Sequence, residues 1–428
     1  MSAVTLALVG SGLRGQSYAR HAVASGMGRV TAVAEPDPYR REAAAAEFGV
    51  PADQVYTDWA ELAKHHRTAD AAIIATQDQL HVEPAVRLAD LGYHILLEKP
   101  MATVERDAVA IAEAAERNKI LLAVCHVLRY TPYTWKLRRL LETGTVGRLV
   151  SVQHLEPVGW WHHAHSFVRG NWRRQDTSAP MLLTKSCHDI DWLIHLFGEL
   201  PDRVASFGGL THFRAEDRPE GAADRCLDCP LEPSCPYSAK RLYLGCLGDP
   251  DQEFWPLSAV TEEHTERAVL DALRTGPYGR CVYAGDNDVV DHQVVNMEFP
   301  SGATCSFTMS AFTPMEHRRT RLMGTHGFID GDGHTLRVVD FRTGEQRTVD
   351  AGEDGGATAG PSAGDGHGGG DEALTEAFLT AVSTGDASTL RSDAAESLAT
   401  HRVVWAAERA RVTGTVVRLD DVAHPTRA

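Results

Sequence analysis

The sequence predicts an α/β protein whose N-terminal part is a doubly wound parallel sheet. Three observations carry this. Residues 1–125 alternate short apolar runs with helical patterns, joined by short connections. The first apolar run leads into TLALVGSGLRG (5–15), where Gly10, Gly12 and Gly15 form G-x-G-x-x-G. A second apolar run, 30–34, ends in Glu35, twenty residues after Gly15. In a strand–turn–helix unit the first glycine permits the tight turn. The second lets backbone approach a pyrophosphate, and the third lets helix pack on strand. The pyrophosphate would lie at the helix N-terminus, where free N–H groups point at it. Gly10, Ser11, Gly12, Leu13, Arg14 and Gly15 are therefore expected at a dinucleotide, with Glu35 on the adenosine ribose hydroxyls. Glu35 favours NAD over NADP by repelling a 2′-phosphate, an argument softened by the nearby Arg40 and Arg41.

Composition bounds the rest. The chain has 428 residues, enough for two or three domains, with 43% hydrophobic and 23% charged residues. Its net charge of −16 argues against nucleic acid as a partner. No stretch approaches the roughly 20 apolar residues of a membrane span. The N-terminus enters a strand at once rather than a secretory signal, so a cytoplasmic location is expected. The eight cysteines then read as thiols, core residues or metal ligands rather than disulfides.

Taken in order, strands are expected at 4–9, 30–34, 71–75, 94–97 and 121–125, and helices at 16–25, 38–47, 58–64, 81–91 and 103–117. Thr76 and Gln77 follow the strand at 71–75, on the side where open α/β sheets bind ligands. His81 opens the next helix, facing either that crevice or the surface. HILLEKP (94–100) ends in Glu98, Lys99 and Pro100. Proline restricts the residue before it to extended geometry, which holds Lys99 at the strand end.

At these residues the chain resembles the Gfo/Idh/MocA family of nicotinamide-dependent oxidoreductases. The glycine turn, the acidic residue after the second strand, AT-x-x-x-x-H and EKP carry the resemblance. It extends through GRLVSVQ (147–153), CHDIDWLIHLFG (187–198) and FPSGATCSF (299–307). The resemblance implies a Rossmann domain, 1–128, then an α/β domain, 129–428, with a large, mostly antiparallel open sheet. It also implies assembly as a homo-oligomer, a dimer or tetramer. By motif match Lys99 would touch substrate and cofactor and exchange the hydroxyl proton during hydride transfer. The alternative for Lys99 is an ion pair with Glu98. His126 and Arg129, in HVLRYTP (126–132), would approach the nicotinamide or substrate, or else sit at the domain interface.

GWWHHAHSFVRGNWRR (159–174) lacks helical or alternating periodicity and is dense in donors. It reads as a pocket loop, with Trp161, His163, His165, Arg169, Trp172 and Arg173 as substrate contacts; a subunit interface is the alternative. From Met181 an amphipathic helix is expected, with Thr184 and His188 on one face and Lys185 one step round. Many family members have an aspartate where this chain has Thr184. Lys185 then stands in for the missing polar group, and His188 remains the general acid/base.

Residues 211–275 form an insertion in which Cys226, Cys229, Cys235 and Cys246 are spaced C-x2-C-x5-C-x10-C. That pattern suits a structural zinc; buried thiols or an iron–sulfur cluster are the alternatives. The cluster from Asp286 to His292 reads as turn chemistry. Strand-like alternation fills 289–310, and 319–333 adds two strand–turn units. Residues 352–370 should be a mobile loop, with His367 reaching back to the substrate as a lid or serving only as linker.

The reading that follows is an enzyme moving hydride between NAD(H) and a carbinol carbon of a sugar-like, possibly anionic, substrate. A second chemistry uses NAD catalytically to cleave a glycoside by oxidation, elimination, water addition and re-reduction. A third reading is an NAD-binding regulator without turnover.

Overall fold

The structure is a computed structural model that describes residues 3–351 and 368–420. His367, and most of the loop expected at 352–370, lie outside the described residues.

The first sheet contains β1 (Val4–Val9), β2 (Gly28–Ala34), β3 (Val55–Tyr56), β4 (Ala71–Ile74), β5 (His94–Leu97) and β6 (Leu122–Val124). All its pairings are parallel, in the order β3-β2-β1-β4-β5-β6. The order reverses between β1 and β4, which opens a crevice beyond their C-terminal ends. The strands are buried on both faces, as their continuous Val, Ile, Leu and Ala runs require. β3 was not expected from the sequence: its two residues carry no periodicity. The first helix begins at Leu13, directly after Gly12, three residues earlier than expected.

The second sheet has nine strands: β7 (Leu149–Pro157), β8 (Arg203–Gly209), β9 (His292–Glu298), β10 (Thr304–Ser310), β11 (Arg319–Gly324), β12 (Gly327–Gly331), β13 (Thr335–Asp340), β14 (Gln346–Asp350) and β15 (Val417–Arg418). Their order is β14-β13-β12-β11-β7-β10-β9-β8-β15. Among the described residues, only β7 and β10 run parallel; every other pair is antiparallel. Alternation sends Cys305, Phe307 and Met309 of β10 into the core, with Ser306 and Thr308 on the opposite face. The hairpin between β9 and β10 closes on Gly302, whose φ of +81° suits glycine. The helices Cys187–Phe197 and Ala394–Thr413 cover the core face.

The chain does not stay in its second part. The helix Gly370–Thr384 returns to the first sheet, where Leu374, Phe378 and Leu379 join the core formed by Leu6, Leu8 and Tyr18. The next helix, Ala394–Thr413, bridges both halves. Its His401 Nε2 accepts the Met101 amide at 3.0 Å, while Val403 and Val404 pack in the second core.

Buried charge joins the halves. Arg129 donates two hydrogen bonds to Asp191, at 2.6 and 2.7 Å, and a third to Glu396 at 2.7 Å. Its remaining contact is the Arg391 carbonyl. Asp191 also accepts from Thr400 Oγ1 at 3.0 Å. Arg129 is thus a domain-interface residue, and its engaged guanidinium corrects its assignment to substrate. Removing one partner of a buried pair leaves the other charge uncompensated, which costs about 3–5 kcal/mol. Asp191→Ala should therefore lower unfolding stability by about that amount in urea titration. A loss below about 1 kcal/mol would show that the Arg129 charge has found another partner.

Candidate active site

The glycine turn is built for close approach. Gly10 has φ +88°, and a Cβ there would meet the Ala75 carbonyl oxygen at 2.6 Å. A Cβ on Gly15 would lie 2.1 Å from the Gly10 carbonyl oxygen. Gly12 differs: nothing lies within 4 Å of its virtual Cβ, and it is the N-cap of the helix Leu13–Ala24 with no side-chain cap. Open space and uncapped N–H groups together fit a pyrophosphate. Glu35 Oε2 accepts the Ser11 amide at 2.6 Å and Oε1 accepts the Asp37 amide at 2.9 Å. This holds the carboxylate against the turn, where it fits a ribose diol.

Other expected contacts serve as braces. Arg14 donates to Glu98 at 2.8 Å and to Asp371 at 3.0 Å, tying the turn to the EKP strand and the returning helix. Tyr18 also donates to Glu98, at 3.1 Å. Burial pushes Glu98 up, but Arg14 and Lys99 outweigh it and hold the carboxyl below its usual value. His81 is buried, with Nδ1 2.9 Å from the Pro100 carbonyl and Nε2 3.2 Å from the Thr76 carbonyl. It spans the two loops that follow β4 and β5, with both ring nitrogens on backbone carbonyls. Thr76 Oγ1 donates to the Leu80 carbonyl at 3.3 Å, and Gln77 opens the turn Asp78–Leu80. His126 is fully buried, 3.7 Å from Asp191 and edge-on to His401. Its place in the interdomain junction corrects its assignment to the cofactor.

Lys99 crosses the crevice. Its Nζ donates to the Thr184 carbonyl at 2.7 Å, not to Glu98. Thr184 ends a short helix, Met181–Thr184, and a new helix starts at Cys187. The expected continuous helix is thus interrupted at Lys185 and Ser186. The i, i+4 relation that would put Thr184 and His188 on one face does not hold across this break.

Behind the break lies a buried chain of charge. Lys185 pairs with Glu156 of β7 at 3.0 Å. Arg318 pairs with Glu156 at 3.1 Å and with Asp189. Burial pushes Asp189 up, yet Arg318 draws it well below the carboxylate range. Arg318 Nη2 lies 2.8 Å from His188 Nε2. A guanidinium only donates, so Nε2 accepts, which places the ring proton on Nδ1. His188 therefore does not present a free Nε2 base, and the acid/base role expected of it requires the ring to leave Arg318. Glu156, Asp189 and Arg318 were missed in the sequence. The legible signal was a pair of aspartates, Asp189 and Asp191, in a helix whose other residues, His188 and His195 apart, are apolar.

The donor-rich segment forms a helical turn, Trp160–His163, continued by a wide π-helical turn, Ala164–Arg169. Three of its expected substrate contacts face protein. His163 is buried between Phe167 and Phe213. His165 bonds Tyr243 Oη at 2.8 Å and stacks on Tyr278. Arg169 donates to the Arg280 and Tyr237 carbonyls, both at 2.8 Å. These contacts correct the pocket assignment: the apolar insertion buries the residues that look like sugar ligands. Arg173 pairs with Asp286 at 2.8 Å, so the acidic cluster clamps this segment. Trp161 packs on Trp255 and lines an outer groove of about 550 Å³ with Trp160 and Arg241. Trp172 does reach the crevice, donating to Asp78 Oδ2 at 2.9 Å.

The zinc set also changes. Among the described residues, no group of three or more His, Cys, Asp or Glu is arranged to hold a metal ion. Cys246 is turned away into the apolar core of the insertion, with its thiol on the Leu242 carbonyl at 3.2 Å.

An uncapped glycine turn, a carboxylate at its side and a lysine bridging to the helix Met181–Thr184 define a dinucleotide-binding Rossmann fold joined to a second α/β part. The chain belongs to the oxidoreductase family with an NAD-binding Rossmann fold, matched over residues 4–126, and the family's C-terminal α/β domain is matched over 138–419. YteT of Bacillus subtilis (strain 168) is 26% identical over 271 residues, 61% of this chain and 60% of YteT. The 2,7-anhydro-N-acetylneuraminate hydratase of Escherichia coli (strain K12) is 27% identical over 143 residues, 33% of this chain and 37% of that protein. The matches thus span about 60% or less of these relatives. A levoglucosan dehydrogenase solved with NADH and levoglucosan superposes with a TM-score of 0.68 at 19% identity, covering 97% of this chain and 99% of that one. No described helix is long and apolar enough to cross a membrane.

Two predictions follow from this geometry. Gly12→Val places its methyls in open space at an extended φ of −73°. Its thermal midpoint should match the parent while NAD(H) affinity, measured by calorimetry, falls more than about tenfold, about 1.4 kcal/mol. Unchanged affinity would move the pyrophosphate elsewhere. The second concerns acid. Burial pushes His126 and His163 down to about 4, and His165 and His401 to about 3. Unfolded imidazoles titrate near about 6.5, so below that pH the unfolded chain binds more protons. Stability is complete above about 6.5 and lost as pH falls toward 4. A denaturation midpoint that stays flat from pH 7 to 4 would contradict this.

Proposed function

We propose that this protein is an NAD-dependent oxidoreductase that transfers hydride at a carbinol carbon of a sugar or sugar-like substrate. The observation that carries the reading is Lys99, held at the end of β5 and joined across the crevice to the Thr184 carbonyl. NAD, when bound, would accept the hydride. Glu35 would hold the ribose, the N–H groups after Gly12 the pyrophosphate, and Lys99 the substrate hydroxyl. Leaving Thr184, the ammonium can donate to the developing oxygen or, once neutral, take its proton. His188 and Lys185 stand on the far wall, and release from Arg318 would free His188 to assist.

Several finer points have support. NAD rather than NADP is favoured because Arg40 pairs with Glu262 and Arg41 Nη1 donates to the Glu35 and Pro36 carbonyls, away from a 2′-phosphate. An anionic substrate loses its main argument, since Arg169, Arg173 and Arg174 all meet protein acceptors. A second copy of the chain is the partner proposed for the far face of the nine-stranded sheet. There Phe207, Val294, Thr308 and Leu155 form a cross-strand row, and Phe207 is 64% exposed.

The second reading is the NAD-recycling cleavage of a glycoside or anhydro-sugar. Thr184 in the usual aspartate position and the His188 ring held by Arg318 favour it, as does the similarity to a hydratase of an anhydro-sugar. Lys99→Ala should reduce turnover about 10²–10⁴-fold while NAD binding persists. Turnover at the parental rate would remove Lys99 from the chemistry. On a panel of free sugars and glycosides, stoichiometric NADH supports the dehydrogenase, and cleavage without net NADH supports the second reading.

A further inference from the structure

Between the segment 159–174 and the insertion lies a groove of about 550 Å³, walled by Trp160, Trp161, Arg169, Arg241 and Gln252. Two cations line it, and no carboxylate is among its lining residues. The chain as a whole is the opposite, with 58 acidic residues and a net charge of −16.

Neither guanidinium meets a carboxylate among the described residues. Arg169 is 2% exposed and donates to the Arg280 and Tyr237 carbonyls. Its Nη1 is buried without a hydrogen-bond partner among the described residues. Arg241 is exposed and donates to the Pro233 and Cys235 carbonyls. Carbonyl oxygens satisfy N–H groups without cancelling a full charge. A buried cation left in that state is costly unless an anion lies near it.

The remaining walls have the chemistry of a sugar site. Trp160 is 40% exposed, and Trp161 is backed by Trp255 with ring centres 5.3 Å apart. An exposed indole offers a broad apolar surface to the C–H face of a pyranose. Gln252 Nε2 donates to Asp249 Oδ2 at 2.6 Å, which leaves its Oε1 to accept a hydroxyl.

We propose that this groove binds an acidic sugar, with its ring on Trp160, a hydroxyl on Gln252 and its carboxylate on Arg241. Arg169 supplies buried positive charge behind that contact. A planar guanidinium matches a carboxylate edge-on through parallel N–H bonds. A neutral sugar would leave both cations uncompensated, and an aromatic acid would bring no hydroxyl to Gln252. The groove shares no lining residue with the Lys99 crevice, so the site is additional to the reacting one and independent of the oxidoreductase reading. The reacting sugar itself need carry no charge.

The test is calorimetry of methyl β-D-glucuronide on the full chain with NADH, which prevents oxidation of the probe. The glucuronide should bind more than about tenfold tighter than methyl β-D-glucoside, and the difference should shrink at high salt. W160A and R241Q should each weaken it by more than about tenfold. Gly245 also lines the groove, and nothing lies within 4 Å of its virtual Cβ. G245F can therefore fold while filling the space, and it should abolish binding. K99A should bind the glucuronide as the parent does. If R241Q does not fold, because Arg241 also holds two carbonyls, W160A and G245F decide. No binding at about 10 mM would overturn the proposal. So would equal affinity for the glucoside or for benzoate, binding kept in both W160A and G245F, or binding lost in K99A, which would put the probe in the crevice.

Discussion

The two sheets of this molecule are held in register by buried charge. Asp191 lies on the helix that covers the antiparallel sheet, and Arg129 lies on the segment leaving the parallel sheet. Such a pair stabilises only when its donors and acceptors are matched, and here Glu396, Thr400 and the Arg391 carbonyl complete the set. The arrangement pins three distant parts of the chain to one point. The distance between the glycine turn and the interrupted helix at Lys185 depends on it. So does the reach of Lys99 to Thr184, because a lysine side chain can bridge the crevice only if the crevice is held narrow.

The interrupted helix is the second constraint. A continuous helix from Met181 would have kept the Thr184 carbonyl within its own hydrogen-bond ladder. The break at Lys185 and Ser186 releases that carbonyl, and Lys99 takes it. The same break sends Lys185 toward Glu156 and leaves His188 with Arg318. Cations and carboxylates alternate along this wall, so moving one group would re-pair its neighbours. That property suits a site in which a proton must change hands.

The parallel sheet was legible because its glycines, apolar runs and EKP turn are local signals. A helix at 371–384 was legible too, but its return to the first sheet was not, because nothing in its residues says which of two cores it joins. The segment 159–174 misled for a physical reason. Histidine, tryptophan and arginine suit a sugar pocket, but they suit a polar-tipped aromatic core equally well, and the choice rests on what the insertion covers. His165 on Tyr243 and Arg169 on two carbonyls are contacts between residues more than 60 positions apart. Cysteine spacing failed similarly: Cys246 turns its thiol to the Leu242 carbonyl inside the apolar core of the insertion, which spacing along the chain does not show.

The central claim is direct hydride transfer at a carbinol carbon in the Lys99 crevice. It is tested most directly by supplying candidate sugars deuterated at single carbinol positions together with NAD, and locating the label. The account predicts deuterium on the nicotinamide ring from one position only, with a primary isotope effect on that step. Label that never reaches the nicotinamide from any accepted substrate, while the substrate is converted, would contradict it.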